Sequence, residues 1–319
     1  MVDYRLSRIS RMTKGANVCG YYYLKTSELR VSNQNSRYLD MTFCDSTGEI
    51  NAKMWNAQDG DEILYRAGTV VYSEALVREF QGMLQLRVDL LRRTEASEDI
   101  DISSLVPTAP VDAGLMYGQI EATVASIKDP DIKKLLNAVL AEYGERFKIY
   151  PAAKSFHHSV RSGLLYHTYT MLLGAEQFAE TYKDLKKDLL FAGVILHDVG
   201  KIEEMTLMDC GLVSDYTTEG ELLGHIISGI CIVDRAARAE KVDPSKALLI
   251  KHMILSHHYE AEYGSPKKPA FPEAEILHYL DVTDSRMYDM FQAVSSTESG
   301  KFSEHVPSLE KRKILNTDL

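Results

Sequence analysis

The apolar residues of this chain change period once, and one segment separates the two regimes. Residues 94–110 (TEASEDIDISSLVPTAP) are acidic, serine-rich and end in two prolines, the composition of a linker. Before the segment, apolar and polar residues alternate, as in half-buried strands; after it, apolar residues recur at helical spacing. In a chain of 319 residues this reads as two domains. The boundaries expected are 1–93, a linker over 94–110, a helical domain over 111–300 and a polar, peripheral tail over 301–319.

The first part contains about five strands. Cys19–Thr26 (CGYYYLKT) is an aromatic run, and Tyr38–Asp45 (YLDMTFCD) alternates Leu39, Met41 and Phe43 against polar neighbours. Ser46-Thr47-Gly48 turns the chain into Glu49–Trp55 (EINAKMW). Gly68–Leu76 and Met83–Leu91 complete the set, joined through Phe80-Gln81-Gly82. Five short strands suit a small closed all-β barrel of the OB type. An SH3-like barrel gives a similar pattern, so strand number alone does not decide.

The second part reads as all-α. Ile120, Val124, Ile127, Leu135, Val139, Leu140 and Phe147 mark helical faces, and Pro130 opens a second helix. Further helices are expected near 162–182, 187–198, 219–240, 244–258 and 273–290. Asp243-Pro244 has the form of an N-cap followed by proline at the first helical position. The longest unbroken apolar run, Leu189–Leu196, is eight residues, whereas a membrane helix needs about 20, so no membrane partner is expected. The opening MVDYRLSRIS lacks the apolar stretch of a secretory signal. Four widely spaced cysteines (Cys19, Cys44, Cys210, Cys231) read as reduced thiols of a cytoplasmic protein. No glycine-rich phosphate loop is present, which argues against nucleoside-triphosphate chemistry of that kind.

A net charge of −10 argues at first against a nucleic-acid partner. Divided by region, residues 1–93 hold 13 Lys/Arg against 11 Asp/Glu, and the remainder holds 23 against 35. The acid excess therefore lies outside the barrel, part of it in candidate metal ligands. OB barrels hold single strands with a mildly basic groove and aromatic rings on which bases stack. Tyr21, Tyr22, Tyr23, Tyr38, Phe43, Trp55, Tyr72 and Phe80 are candidates, with Lys25, Arg30, Arg37, Lys53, Arg78 and Arg87 as phosphate partners. Alternation turns about half of these aromatics inward, and Trp55 is expected in the core. Arg37, Tyr38 and Arg78 are the preferred contacts.

All ten histidines fall after residue 150. His167, the pair His197-Asp198, His225, the pair His257-His258 and Asp281 form a series of metal-ligand types. His197-Asp198 ends the apolar run LLFAGVIL, His167 shares a helical stripe with Met171 and Phe178, and Asp281 follows Ile276-Leu277 and Tyr279-Leu280. A buried unpaired carboxylate is costly, and a cation offsets that cost. His252, His278 and His305 read as structural, and His157 as either structural or a pocket wall. Asp284 shares a helix face with Asp281, where it either orients a ligand or is a surface acid.

The order H…HD…H…HH…D resembles the HD superfamily of metal-dependent phosphohydrolases. The phrases SFHHSVRSGLLYHT (155–168), LLFAGVILHDVGKIEE (189–204), EGELLGHIISG (219–229), KHMILSHHYEAEYGSPKKP (251–269) and ILHYLDVTDSRM (276–287) carry the likeness. Joined to a barrel, they resemble the YhaM-type 3′→5′ exoribonucleases. The resemblance implies a first ion on His167, His197, Asp198 and Asp281, and a second on His225, His257 and His258 with Asp198 bridging. It implies that Lys201 contacts the phosphate beside catalytic Asp198, with His158 and Arg161 as further contacts.

Two ions ~3.5–4 Å apart can activate a water, neutralise a phosphoryl group and stabilise the leaving oxygen. The donor set suits Mn, Fe, Zn, Ni or Co; the resemblance favours Mn²⁺, with hydroxide generated at the metal as the nucleophile. The implied reaction is 3′→5′ hydrolysis of single-stranded RNA, with DNA as an alternative substrate, to nucleoside monophosphates. The resemblance also implies self-association, since one barrel alone would hold a strand loosely. Two rivals stand beside this reading. One is a phosphohydrolase of a small nucleotide or cyclic dinucleotide, against which the missing G-Y-P phrase after His257-His258 counts. The other is a non-catalytic single-strand binder, against which the intact ligand types at all seven positions count.

Overall fold

Alternation in the first ninety residues closes a ring of strands. β1 (Arg5–Leu6) runs parallel to the start of β2 (Asn17–Val31), and β3 (Arg37–Asp45) and β4 (Gly48–Trp55) follow. A short helix, α1 (Asp61–Leu64), leads to β5 (Val70–Phe80) and β6 (Met83–Arg93). The long strands pair in the order β2-β3-β4-β6-β5, and β5 returns to β2. Three consecutive neighbours with the fourth strand beside the first is a Greek key, and the fifth closes it alongside the third in parallel. This is the OB arrangement, so strand order decides what strand number left open. The computed structural model describes residues 4–32, 35–95, 97–98, 100–154, 158–208 and 210–317.

β2 serves two partners: Asn17–Tyr23 pair with β5 and Tyr23–Val31 with β3, and the register shifts between Leu24 and Thr26. A bulge there lets one strand bend around the ring. At the β5–β6 hairpin both Gln81 and Gly82 have positive φ, the requirement of a type I′ turn. Tyr22, Leu24, Leu39, Met41, Phe43, Val71 and Leu86 fill the interior. Of the aromatic candidates, Tyr22, Tyr23 and Phe43 are thus buried. Trp55 corrects its expectation: it is 44% exposed and its ring lies 4.7 Å from that of Tyr38. Met54 takes the inward position, so the alternation of β4 turns Trp55 outward.

The chain divides into two units, Met1–Thr108 with Leu207–Leu212, and Ala109–Thr206 with Val213–Leu319. Most of the segment expected as a linker is therefore structured with the barrel. Leu105 and Val106 are buried in a second core with Tyr23, Cys44, Val70 and Cys210. The acids have local tasks. Asp101 accepts from the Ser103 N–H at the turn Ile102–Ser104, and Glu98 accepts from the Tyr21 hydroxyl (2.7 Å) and pairs with Arg92 (2.7 Å).

The second unit carries α2 (Ala113–Ser126), α3 (Pro130–Phe147), α4 (Gly163–Thr181), α5 (Lys187–Leu196) and α6 (Lys201–Glu204). A hairpin of β7 (Met205–Leu207) and β8 (Val213–Tyr216) interrupts the helices, its tip belonging to the first unit. α7 (Thr218–Ala239), α8 (Pro244–Ser256) and α9 (Pro272–Ser295) follow. Asp129 and Asp243 cap helices that begin with proline, as the sequence predicts. α5 is buried on every side, which marks it as the centre of this unit. α6 and the hairpin escape a sequence reading because each is too short to show a period. The tail is folded, with most of its described residues exposed. Bridges Phe302–Leu315 and Val306–Arg312 fold it back, Leu309 is fully buried, and Arg286 pairs with Glu310 at 2.8 Å. Among the described residues no helix is long and apolar enough to cross a membrane.

Candidate metal centre

The polar cluster is built where helices end, break or turn a face inward. His197 is the C-cap of α5 with Asp198 next to it, and His257 is the C-cap of α8 with His258 next to it. His225 follows a break in α7 at Gly224, while His167 and Asp281 lie on buried faces of α4 and α9. All seven candidate ligands come together.

Asp198 divides the cluster into two halves, one per carboxylate oxygen. Its Oδ2 lies 3.3 Å from His197 Nε2 and 3.9 Å from His167 Nε2. His167 Nε2 is in turn 3.3 Å from both His197 Nε2 and Asp281 Oδ1. Asp198 Oδ1 lies 3.5 Å from His225 Nε2 and 3.7 Å from His257 Nε2. His258 joins this half, with Nε2 3.2 Å from His225 Nε2, and its Nδ1 is 3.7 Å from Asp281 Oδ2. Lys201 Nζ lies 2.6 Å from Asp198 Oδ2.

The donors fit cations. Asp198 Oδ1 and His257 Nε2 are buried with no hydrogen-bond partner among the described residues. Each such orphan is costly, by about 1–3 kcal/mol; one cation facing both satisfies them together. Burial alone would raise the carboxyls of Asp198 and Asp281. Lys201 and His197 around Asp198, and His167 beside Asp281, outweigh it and hold both well below the usual carboxylate range. Burial pushes His257 well below its ordinary value, helped by His258 and His197, and brings His258 down to about 4. Both rings are therefore neutral at pH 7, the form that ligates. His167 goes the other way: burial lowers it, but Asp281 and Asp284 outweigh burial and raise it to about 10. Two carboxylates hold a proton there that a bound cation would replace.

The outer ring nitrogens are anchored too. His197 Nδ1 reaches Val194 O (2.9 Å) and His257 Nδ1 reaches Ile254 O (2.8 Å). His167 Nδ1 reaches Asp284 Oδ2 at 2.7 Å, so Asp284 orients a ring in the cluster. The same oxygen holds His158 Nε2 at 2.8 Å. His158 is 1% exposed and its ring lies 4.0 Å from that of Tyr288. It therefore stands behind His167, held by the same carboxylate that orients that ring. Arg161 is half-buried two residues before α4. Glu204, which sequence reasoning passed over, faces His225 Nδ1 at 3.3 Å. Its only mark in the sequence is its place at the end of the HD-x-G-K-I-E-E phrase. His252, His278 and His305 bond to Ala270 N–H, His257 O and Lys311 O, as structural histidines do. His157 lies outside the described residues.

On the barrel, Tyr38, Lys53, Trp55, Arg78 and Arg87 share the outer face of β3, β4, β6 and β5, by register and alternation. Lys53 Nζ stands 5.1 Å from the centre of the Tyr38 ring. Arg78 is exposed, and Arg37 is paired with Asp59.

The HD domain family matches residues 164–286. The 3′-5′ exoribonuclease YhaM of Bacillus velezensis is 38% identical over 299 residues, covering 93% of this chain and 94% of the relative. That of Bacillus subtilis is 37% identical with the same coverage. The chain belongs to the YhaM family of 3′-5′ exoribonucleases. YhaM of Shouchella clausii extends the likeness at 35% identity, covering 93% of this chain and 92% of its own. A solution structure of the second OB-fold domain of replication protein A from Methanococcus maripaludis covers 29% of the chain and 98% of its own length. Its identity is 15% and its TM-score 0.24, and the barrel assignment rests on strand order instead. In this YhaM-family chain the HD match contains all seven candidate ligands with Lys201, Glu204 and Asp284, and begins after His158 and Arg161.

Proposed function

We propose that this chain hydrolyses single-stranded RNA from its 3′ end and releases nucleoside monophosphates, using two divalent cations. The observation that carries the reading is Asp198, whose two oxygens face two sets of histidines. His167, His197, Asp198 and Asp281 would hold one cation; His225, His257, His258 and Asp198 would hold the other. When bound, such ions activate water and neutralise the charge of a phosphodiester. The mixed imidazole and carboxylate donors suit Mn²⁺, Fe²⁺, Zn²⁺, Ni²⁺ or Co²⁺, and we take Mn²⁺ as the metal. Lys201, buried beside Asp198, is proposed to take a phosphate oxygen, with Arg161 as a second candidate. The 3′→5′ direction is supported by what the relatives are named for.

The test is a 5′-labelled single-stranded RNA incubated with Mn²⁺ and the protein. A ladder shortening from the 3′ end supports the reading. Binding without cutting would leave a single-strand binder, and cleavage of small nucleotides but not RNA would leave the small-molecule phosphohydrolase.

The barrel is proposed to retain the strand through Tyr38, Trp55, Lys53 and Arg78, with Arg37 at the edge. Trp55→Ala is expected to weaken binding to a short oligonucleotide by about 1–3 kcal/mol, the worth of one base stacked on an aromatic ring. Bound metal should be unchanged. Unaltered affinity in fluorescence anisotropy would remove Trp55 from the contact.

A further inference from the structure

α7 is not one continuous helix. It breaks at Gly224 (φ 70°, ψ 166°), a backbone region that is essentially glycine-only, and resumes at His225. Glu204, the last residue of α6, lies against the break. Its Oε1 accepts from the His225 backbone N–H at 3.0 Å and lies 3.3 Å from Nδ1 of the same residue. The Glu204 backbone is fixed in turn by the start of α7. Its carbonyl accepts from Thr217 N–H at 2.8 Å, and a Cβ on Gly220 would stand 2.2 Å from that carbonyl oxygen. One carboxylate thus holds both the main chain and the ring of His225, whose Nε2 faces Asp198 Oδ1 at 3.5 Å.

We infer that Glu204 is a positioning residue for the second cation: it fixes the orientation and tautomer of His225 without ligating the ion. A carboxylate can only accept, so Nδ1 carries the proton and Nε2 keeps its lone pair for the metal; the negative charge also makes the ring a stronger donor. The inference rests on the two-cation reading proposed above.

The experiment is a calorimetric titration of the full-length, metal-free protein with Mn²⁺, comparing wild type, Glu204→Ala, Glu204→Gln and His225→Ala, alongside metal-free melting curves. Wild type should bind two ions and His225→Ala one. Glu204→Ala should keep the tighter ion at wild-type affinity and weaken the other by about 10- to 100-fold. Glu204→Gln, which keeps an acceptor but not the charge, should show a measurable loss below about 10-fold with its metal-free melting curve unmoved. Two ions at wild-type affinity in Glu204→Ala, with one lost in His225→Ala, overturns the role of Glu204 alone. Two ions at wild-type affinity in His225→Ala overturns the two-cation reading and the inference with it. Should Glu204→Ala not fold, wild-type affinity for both ions in Glu204→Gln overturns the inference.

Discussion

Asp198→Ala is expected to lower RNA hydrolysis to the level of chelator-treated wild-type protein, a loss of at least about 10³-fold. The reason is the division of labour within one carboxylate: each half of the cluster loses an oxygen at once. Binding of a single strand should be nearly intact, since the barrel residues proposed for it share no partner with Asp198. The substitution also leaves Lys201 Nζ, now 2.6 Å from Asp198 Oδ2, buried without its partner, which destabilises by several kcal/mol. Asp198→Asn keeps the volume and one acceptor and serves as the companion variant. Digestion of labelled RNA, metal analysis of the purified protein and a gel shift in chelator read the three effects. Wild-type cutting in either variant would sink the dimetal mechanism.

Gly200→Ala should produce a large loss of stability by steric crowding alone. A Cβ at this position would lie 1.9 Å from His225 O and 2.6 Å from Gly229 N. Both are backbone atoms, so no side chain can swing aside. Overpacking of this kind costs about 1–3 kcal/mol, with the upper end expected against backbone atoms, and in a domain of this size each kcal/mol moves the melting temperature by roughly 2–4 °C. Gly118→Ala in α2 is the matched control: beyond its own helix backbone, no atom among the described residues lies within 4 Å of its would-be Cβ. That change should be neutral or stabilising by about 0.5–1 kcal/mol, because alanine gives up less backbone freedom than glycine in a helix. Equal melting temperatures for the two variants would show that the contact at Gly200 relaxes freely.

The two positions also show which parts of the molecule can be read from sequence. The ligand types stood out because each interrupts an apolar run: His197-Asp198 after LLFAGVIL, Asp281 after Tyr279-Leu280. Gly200 sits inside the same phrase as Lys201 and reads as part of a motif, yet its work is steric and is done against a helix some 25 residues further on. Asp284 and Glu204 are ordinary helix acids by composition; their partners lie 117 and 21 residues away, and no period links them. His158 stands out by residue type alone, and its partner Asp284 lies 126 residues away. In the barrel, residue type misled where alternation would have served, because Trp55 is one step out of phase with the inward Met54. The acidic segment 94–110 has the composition of a linker, whereas Leu105 and Val106 anchor it in a core with Tyr23 and Val70.

The hydrogen bonds from His197 to Val194 O and from His257 to Ile254 O have a consequence beyond the rings themselves. An α-helix leaves its last four carbonyls without a partner, and here the side chain that closes the helix is also a candidate ligand. A carbonyl can only accept, so capping obliges Nδ1 to carry the proton and directs the bare Nε2 toward Asp198. The last turns of α5 and α8 thus choose the protonation pattern of the centre before any ion arrives. Fraying of either helix end, by a change that touches no donor, is expected to weaken metal affinity by about 10- to 100-fold, as loss of an outer hydrogen bond does.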